Sequence, residues 1–476
     1  MRSARAIGFG LALACFTGSA FGQDPPSEED REAPRYFLES VEIRGNTRTP
    51  KSEIRPLVPF EVGETFVADD PRVEETRVRL LTTGYFLDVE LSLRRGRRRG
   101  WVVLVVRVEE RNTLHLRRLF AGRSRSSAYG GLDVGDTNLF GHGTSLSAAA
   151  VLSDDEQQAF RVRFGERRFL GSPFTLSTVV SHTDGREYFG TGDVLSSRCS
   201  PALDHRCRFA TAYYRRTGIQ LGIARDLGLS LRLDLGLRLE VIDADVPSAA
   251  STRVGREIVP VDFDVAPGAS SLVTSRAGIQ YDTRNAPFLP SDGILAGLGV
   301  EATSLPGAYE FARLTLSGEA HIGLPWRHVL GLYGFGGVVL GDAPFFEQFY
   351  LGDLTDLIPD RSLDLSFNDL AAPNLLGTSI VEMRYEEIAT RFEAEYVVPI
   401  FRSRGFIYGL DAFARGGVVA LASHDYVRDV PAGYEGMARF PADLTFNVGV
   451  RADSEFGFLG LSFANVLQFV PEGIGQ

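Results

Sequence analysis

The chain has 476 residues, with 51 glycines and 33 phenylalanines against 3 methionines and 2 tryptophans, and carries a net charge of −11. That acidic balance argues against the broad basic surface by which nucleic-acid-binding proteins hold phosphate. The length exceeds one ordinary core, and a long glycine- and aromatic-rich chain with few helix signals fits a many-stranded β architecture better than an α/β enzyme.

Residues 1–22 have an arginine-bearing start, an apolar run from Ala6 to Thr17 and small residues at Ala20 and Gly22, the pattern of a secretory signal cut after Gly22. Cys15 would suit a lipid anchor, but Ala12 stands three residues before it, where such signals carry leucine. Residues 23–35 are rich in proline and charge and read as a flexible leader. No later stretch approaches the roughly 20 consecutive apolar residues that a spanning helix requires.

Residues 36–112 read as one compact mixed domain. "FLESVEIR" alternates as a short strand and ends in the turn "GNTRT". A short helix starts near Pro50. A second carries Asp70 as N-cap, Pro71 in its first turn and Gly84 as its stop. Two strands, "YFLDVELSL" and "WVVLVVRVEE", complete the order β-α-α-β-β. Their connecting turn holds Arg94, Arg95, Arg97, Arg98 and Arg99. These read as a solvated hairpin end, the alternative being a contact with anionic groups at a membrane or on a partner. Residues 113–127 read as a linker.

From residue 128 to 476 the sequence becomes a series of alternating runs broken by turn residues. The stretch from Leu227 to Val241, "LGLSLRLDLGLRLEV", places apolar residues at odd positions, while the even positions include Arg232, Asp234, Arg238 and Glu240. Alternation of period two makes it a strand, and its length suits a barrel with lipid outside and a wet lumen inside. At about twenty residues per strand and turn, this region fits about sixteen strands, an even number as in bacterial single-chain barrels. Cys199 and Cys207 read as a disulfide closing a surface loop in an oxidising compartment. The fold class is therefore mainly β, a small mixed domain followed by a transmembrane antiparallel barrel.

Several of these residues resemble a known family. "VEIRGNTRT", with Gly45 and Asn46, and "GYFLDVEL", with Gly84, Tyr85 and Phe86, are similar to a POTRA domain, a module of proteins that handle unfolded chains at membranes. "NLFGHG" (Asn138, Leu139, Phe140, Gly141 and Gly143) resembles the first-strand motif of the BamA/TamA-like family of outer-membrane assembly and translocation proteins. "YDTRNAPFLPSDG" resembles its mid-barrel hairpin, with Asp282, Arg284, Pro290 and Gly293 at matching positions. "EQFYLGDLTDL", with Gly352, is similar to the entry into the family's sixth extracellular loop. The tail, with Leu461, Phe463, Leu467 and Phe469, is similar to its closing strand. The family's loop carries Arg-Gly and an aromatic residue. Here Ile358, Pro359 and Asp360 stand in that place, and Arg361 is the candidate for the arginine's part.

The resemblance implies a bacterial outer-membrane barrel with its POTRA-like domain in the periplasm, and a weak seam between Leu139–Val151 and Leu459–Phe469. It implies unfolded or nascent outer-membrane or secreted polypeptides as partners, with outer-membrane lipid and periplasmic or lipoprotein accessory proteins, and no nucleic acid. No Gly-x-Ser-x-Gly, His-Glu-x-x-His, Cys-x-x-Cys or phosphate-cradling glycine loop occurs, and no cofactor, metal site or enzymatic activity is expected. The leading expectation is a factor that assists insertion or translocation of polypeptides. The alternatives are a passive pore or receptor, a dedicated two-partner-type secretion channel and, last, a membrane-embedded enzyme.

Overall fold

The computed structural model describes residues 35–67, 70–123, 127–189, 210–228, 230–247, 250–254, 257–286, 289–358, 360–367, 374–430 and 433–463. The signal segment, the cysteine pair Cys199 and Cys207, and Leu467 and Phe469 lie outside them.

The small domain comprises β1 (Arg35–Arg44), α1 (Lys51–Ile54), β2 (Thr65–Val67), α2 (Pro71–Thr82), β3 (Phe86–Arg95) and β4 (Trp101–Glu110). Its four-stranded sheet has the order β2-β1-β4-β3, with β1 parallel to β4. α2 starts as its sequence requires. The Asp70 carboxylate accepts the Arg72 backbone N–H at 3.0 Å, Pro71 follows in the first turn, and Gly84 at φ +74° ends the element. "WVVLVV" is continuously apolar because β4 is a central strand, and Val102 through Val106 are all buried. Leu38, Ile54, Phe60, Phe66, Leu80, Phe86 and Leu104 form the core between sheet and helices. β2 went unforeseen because three residues carry no periodic signal.

The barrel sheet contains fifteen strands among the described residues. In chain order they are β5 (Leu114–Arg123), β6 (Ala128–Leu139), β7 (Thr144–Ser153), β8 (Gln158–Glu166), β9 (Phe174–Phe189), β10 (Ala210–Leu227), β11 (Leu231–Asp245), β12 (Gly268–Asp282), β13 (Gly293–Thr303), β14 (Glu310–Gly323), β15 (Val329–Asp342), β16 (Ile388–Arg402), β17 (Ile407–Ala422), β18 (Ala442–Ser454) and β19 (Gly457–Phe463). Each pairs antiparallel with its sequence neighbour, so the sheet is an up-and-down meander. The exposed apolar residues of β11 face outward, Leu235 at 60 % and Val241 at 63 %, while Glu240 and Arg238 point into the lumen, where they meet other ions. An apolar exterior around a charged interior is the inverse of a soluble core and suits lipid.

Three expectations need correction. Residues 114–123 are not linker but the first barrel strand. Its alternation is hidden by Arg117 and Arg118, where the register slips at a bulge between Leu116 and Arg118. The run Leu227–Val241 is not one strand: Gly228, at φ +77°, turns the chain, and Leu227 pairs with Leu231. Leucine alternation continues through the turn and masks it. The edge strands of the sheet among the described residues are β5 and β19, and "NLFGHG" sits at the turn after the second strand instead of on the first.

Candidate functional site

The stretch from Ala343 to Glu387 joins β15 to β16 and makes ion pairs with strands all around the barrel, which places it inside the lumen. Phe345 and Phe346 bury against Tyr214, Tyr309 and Tyr385. The next residue, Glu347, is 2 % exposed and meets three wall arginines: Arg238 of β11 at 2.7 Å, Arg216 of β10 at 3.3 Å and Arg313 of β14 at 3.4 Å. Further along, Asp360 pairs with Arg118 of β5 at 2.7 Å and Asp364 with Arg161 of β8 at 2.8 Å. Arg384 runs the other way and meets Glu187 of β9, whose carboxylate also accepts the Tyr385 hydroxyl at 2.7 Å. Buried charges are tolerated only when paired, so these contacts fix where the loop sits.

Arg361 does not take the part expected of it. It pairs with Asp353 of its own loop at 2.8 Å, donates to the Phe346 carbonyl and lies over the rings of Tyr350 and Tyr385. Gly352 is buried in the short turn that presents Asp353. The loop is thus held largely by its own acids on arginines of the wall. Glu347 was not legible beforehand because an acid between phenylalanines has no local signature. The inward arginines Arg216 and Arg238 on the adjacent strands β10 and β11, with Arg313 on β14, were its only sequence trace.

No strand ladder joins β5 to β19 among the described residues. They are bridged by the Leu116 N–H donating to the Phe456 carbonyl at 2.9 Å, by the Asn112 side chain on the Glu455 carbonyl at 3.0 Å, and by the buried pair Arg111–Asp453 at 2.9 Å. Gly457, at φ +128°, lets the chain pass closely, since a Cβ there would stand 2.7 Å from the Leu116 carbonyl oxygen. Leu461 of β19 faces outward, and Phe463 ends the strand.

The two motif sets at the junction come together. Asn138 accepts the Gly143 N–H at 2.8 Å and donates to the Thr49 hydroxyl of the small domain at 2.9 Å. A Cβ on Gly141 would stand 2.1 Å from the Arg48 carbonyl oxygen, so only glycine allows this approach. Gly143 adjoins Glu53 and Tyr85, and Arg167 lies over the Tyr85 ring. Phe140 is exposed at the turn tip, and Leu139 ends β6. On the other side Asn46 donates to the Thr49 carbonyl, and Gly45 at φ +87° brings the turn against Val108. Glu110 then receives the backbone N–H groups of Thr47, Arg48 and Thr49 at 3.0, 2.8 and 2.7 Å, with the Thr47 hydroxyl as well. Burial pushes its carboxyl up, but these donors outweigh it and bring the pKa down to about 2. Across the same mouth, Arg404 pairs with Asp88 at 2.7 Å.

The mid-barrel hairpin is a separate cluster at that end of the barrel. Arg284 is buried between Asp282, at 3.0 Å, and Glu319 of β14. Gly293, at φ +107°, passes 2.5 Å from the Thr283 carbonyl oxygen as measured from an added Cβ, and Pro290 lies in the loop between.

An antiparallel barrel with an outward apolar band, a plugged lumen and a docked β-α-β-α-β-β domain defines a POTRA-bearing outer-membrane barrel. Residues 138–357 match the Omp85 superfamily domain, and residues 36–111 match the POTRA family described as a surface antigen variable number repeat. The outer membrane protein assembly factor BamA of Nitratidesulfovibrio vulgaris is 26 % identical over 356 residues, covering 73 % of this chain and 40 % of that protein. The chain thus spans less than half the length of that relative. BamA from Haemophilus ducreyi lacking POTRA domains 1–3 superposes with a TM-score of 0.50 at 14 % identity, covering 91 % of this chain and 83 % of that one. CdiB from Escherichia coli superposes with a TM-score of 0.55 at 11 % identity, covering 91 % and 73 %. The chain thus carries a POTRA domain followed by an Omp85 superfamily domain, the combination of BamA/TamA-like outer-membrane proteins.

Proposed function

We propose that this protein assists the insertion or translocation of client polypeptides at the outer membrane, with its POTRA domain on the periplasmic side. The observation that carries this reading is the seam. Among the described residues no ladder joins the edge strands β5 and β19, which are bridged only by the Leu116–Phe456 and Asn112–Glu455 hydrogen bonds and the Arg111–Asp453 pair. Two edges without a ladder are a template for an extended chain. Beneath them, β3 is an edge strand of the POTRA sheet and offers a second pairing surface. The loop seated in the lumen by Glu347, Asp360 and Asp364 counts against a passive open pore.

The test uses protein folded into vesicles and a separate urea-denatured barrel whose folding is followed by protease protection. Acceleration is expected, lost both on deletion of Phe37 to Glu110 and on oxidation of a cysteine pair introduced at Leu116 and Phe456. Steady ion conductance without acceleration, or full activity in the locked form, overturns it.

A further inference from the structure

The three most exposed large apolar residues among the described ones are Trp326 at 87 %, Leu170 at 85 % and Phe140 at 84 %; the next reach 64 %. All three lie at turn tips on the POTRA side of the barrel. All three also have left-handed backbone, with φ of +62°, +52° and +55°. Glycine or asparagine is the ordinary occupant of that conformation, and a side chain with a Cβ is strained there. Exposure to water and backbone strain both disfavour Phe, Leu and Trp at these positions, and the ring contact of Trp326 with His328 at 6.0 Å leaves its indole 87 % exposed. Two further turns at the same end present Phe406 and Phe456, half-exposed, with their rings 5.0 Å apart.

The tips are distributed around the mouth. Phe140 lies between β6 and β7 and Leu170 between β8 and β9, whereas Trp326 lies between β14 and β15, on the far side of the fifteen-stranded sheet. A protein partner of ordinary size would meet one side only. A plane meets them all.

Arginine accompanies the tips: Arg327 is exposed beside Trp326, and Arg167 and Arg168 precede Leu170. Arg168 also donates to the Ser52 carbonyl at 3.4 Å, and Arg404, two residues before Phe406, holds Asp88, so the same turns carry the POTRA domain. Aromatic rings favour the headgroup level of a bilayer, and guanidinium groups pair with phosphate. The arginine-rich hairpin at 94–99 has no share in this. The β3–β4 ladder runs from Phe86 and Glu110, beside the barrel, to Arg95 and Val102 at the other end, away from the mouth.

We propose that these turn tips form a rim that inserts into the inner-leaflet headgroups of the outer membrane, its arginines engaging anionic phospholipid, and so fixes the height of the POTRA domain against the membrane surface. This rests on the orientation proposed above. Trp326 and Trp101 are the only tryptophans in the chain, so a Trp101→Phe variant makes Trp326 the sole reporter.

The full chain carrying that substitution would be folded into phosphatidylcholine vesicles with and without phosphatidylglycerol. Trp326 emission should be blue-shifted, quenched by lipid brominated near the glycerol, and at least about threefold less accessible to aqueous iodide than in urea. Adding phosphatidylglycerol should deepen the shift, and a variant with Arg167, Arg168 and Arg327 each changed to Gln should lose that increment. Iodide access equal to the unfolded chain, with no effect of brominated lipid, overturns the rim. A Leu239→Trp reporter in a Trp101→Phe, Trp326→Phe background separates the two readings. If it is quenched by lipid while Trp326 is not, only the rim fails; if neither is quenched, the membrane-spanning orientation fails too.

Discussion

Glu110 holds the turn that touches the barrel, and it does so with backbone donors from three successive residues. Its folded pKa, about 2, lies below the unfolded glutamate value of about 4.3. The stability it lends is therefore complete above about pH 4.3 and is lost as the pH falls toward about 2. An acid titration of the native chain followed by near-ultraviolet circular dichroism should show this loss, and Glu110→Gln should flatten the response in that window. Glu347 is the corresponding residue in the lumen. Glu347→Gln leaves Arg216, Arg238 and Arg313 to share Glu240 and Glu301, and removing one partner of a buried ion pair costs about 3–5 kcal/mol. The variant should lower the urea midpoint, raise ion conductance in planar bilayers and open the loop to protease. Unchanged conductance would show that other contacts hold the plug. Neither acid was legible in advance, because each gathers partners from chain segments far apart in sequence.

At the level of elements, the strands were legible wherever alternation ran unbroken and illegible where it was interrupted. β11 was visible from its leucines, yet its start was misplaced by four residues because the turn at Gly228 interrupts direction without interrupting alternation. β5 was hidden by its double arginine and bulge. The alternation also has an energetic meaning. Leu237→Arg, on the lipid side of β11, should destabilise the folded barrel by about 2–4 kcal/mol near the bilayer midplane in urea titrations in vesicles, whereas a polar change at lumen-facing Asp234 should cost far less. Equal costs at both positions would contradict the assignment of faces. The α2 boundaries needed no tertiary information, since Asp70, Pro71 and Gly84 act on their own neighbours.

For the whole molecule, one mouth is covered by the POTRA domain, the lumen is filled by an ion-paired loop, and among the described residues the wall has one interval without a ladder. The sequence by itself determined the division into a small mixed domain and a barrel, and the facing of strands whose alternation ran unbroken, because caps, turns and period-two alternation are set by neighbours along the chain. Joining "GNTRT" to "NLFGHG", seating the loop through Glu347 instead of Arg361, and bringing the edge strands β5 and β19 together were decided only in three dimensions. Each depends on approaches between distant segments: a glycine that admits a carbonyl, a carboxylate shared by three strands, and a few contacts between the two edge strands. Local pattern contains no record of such distances.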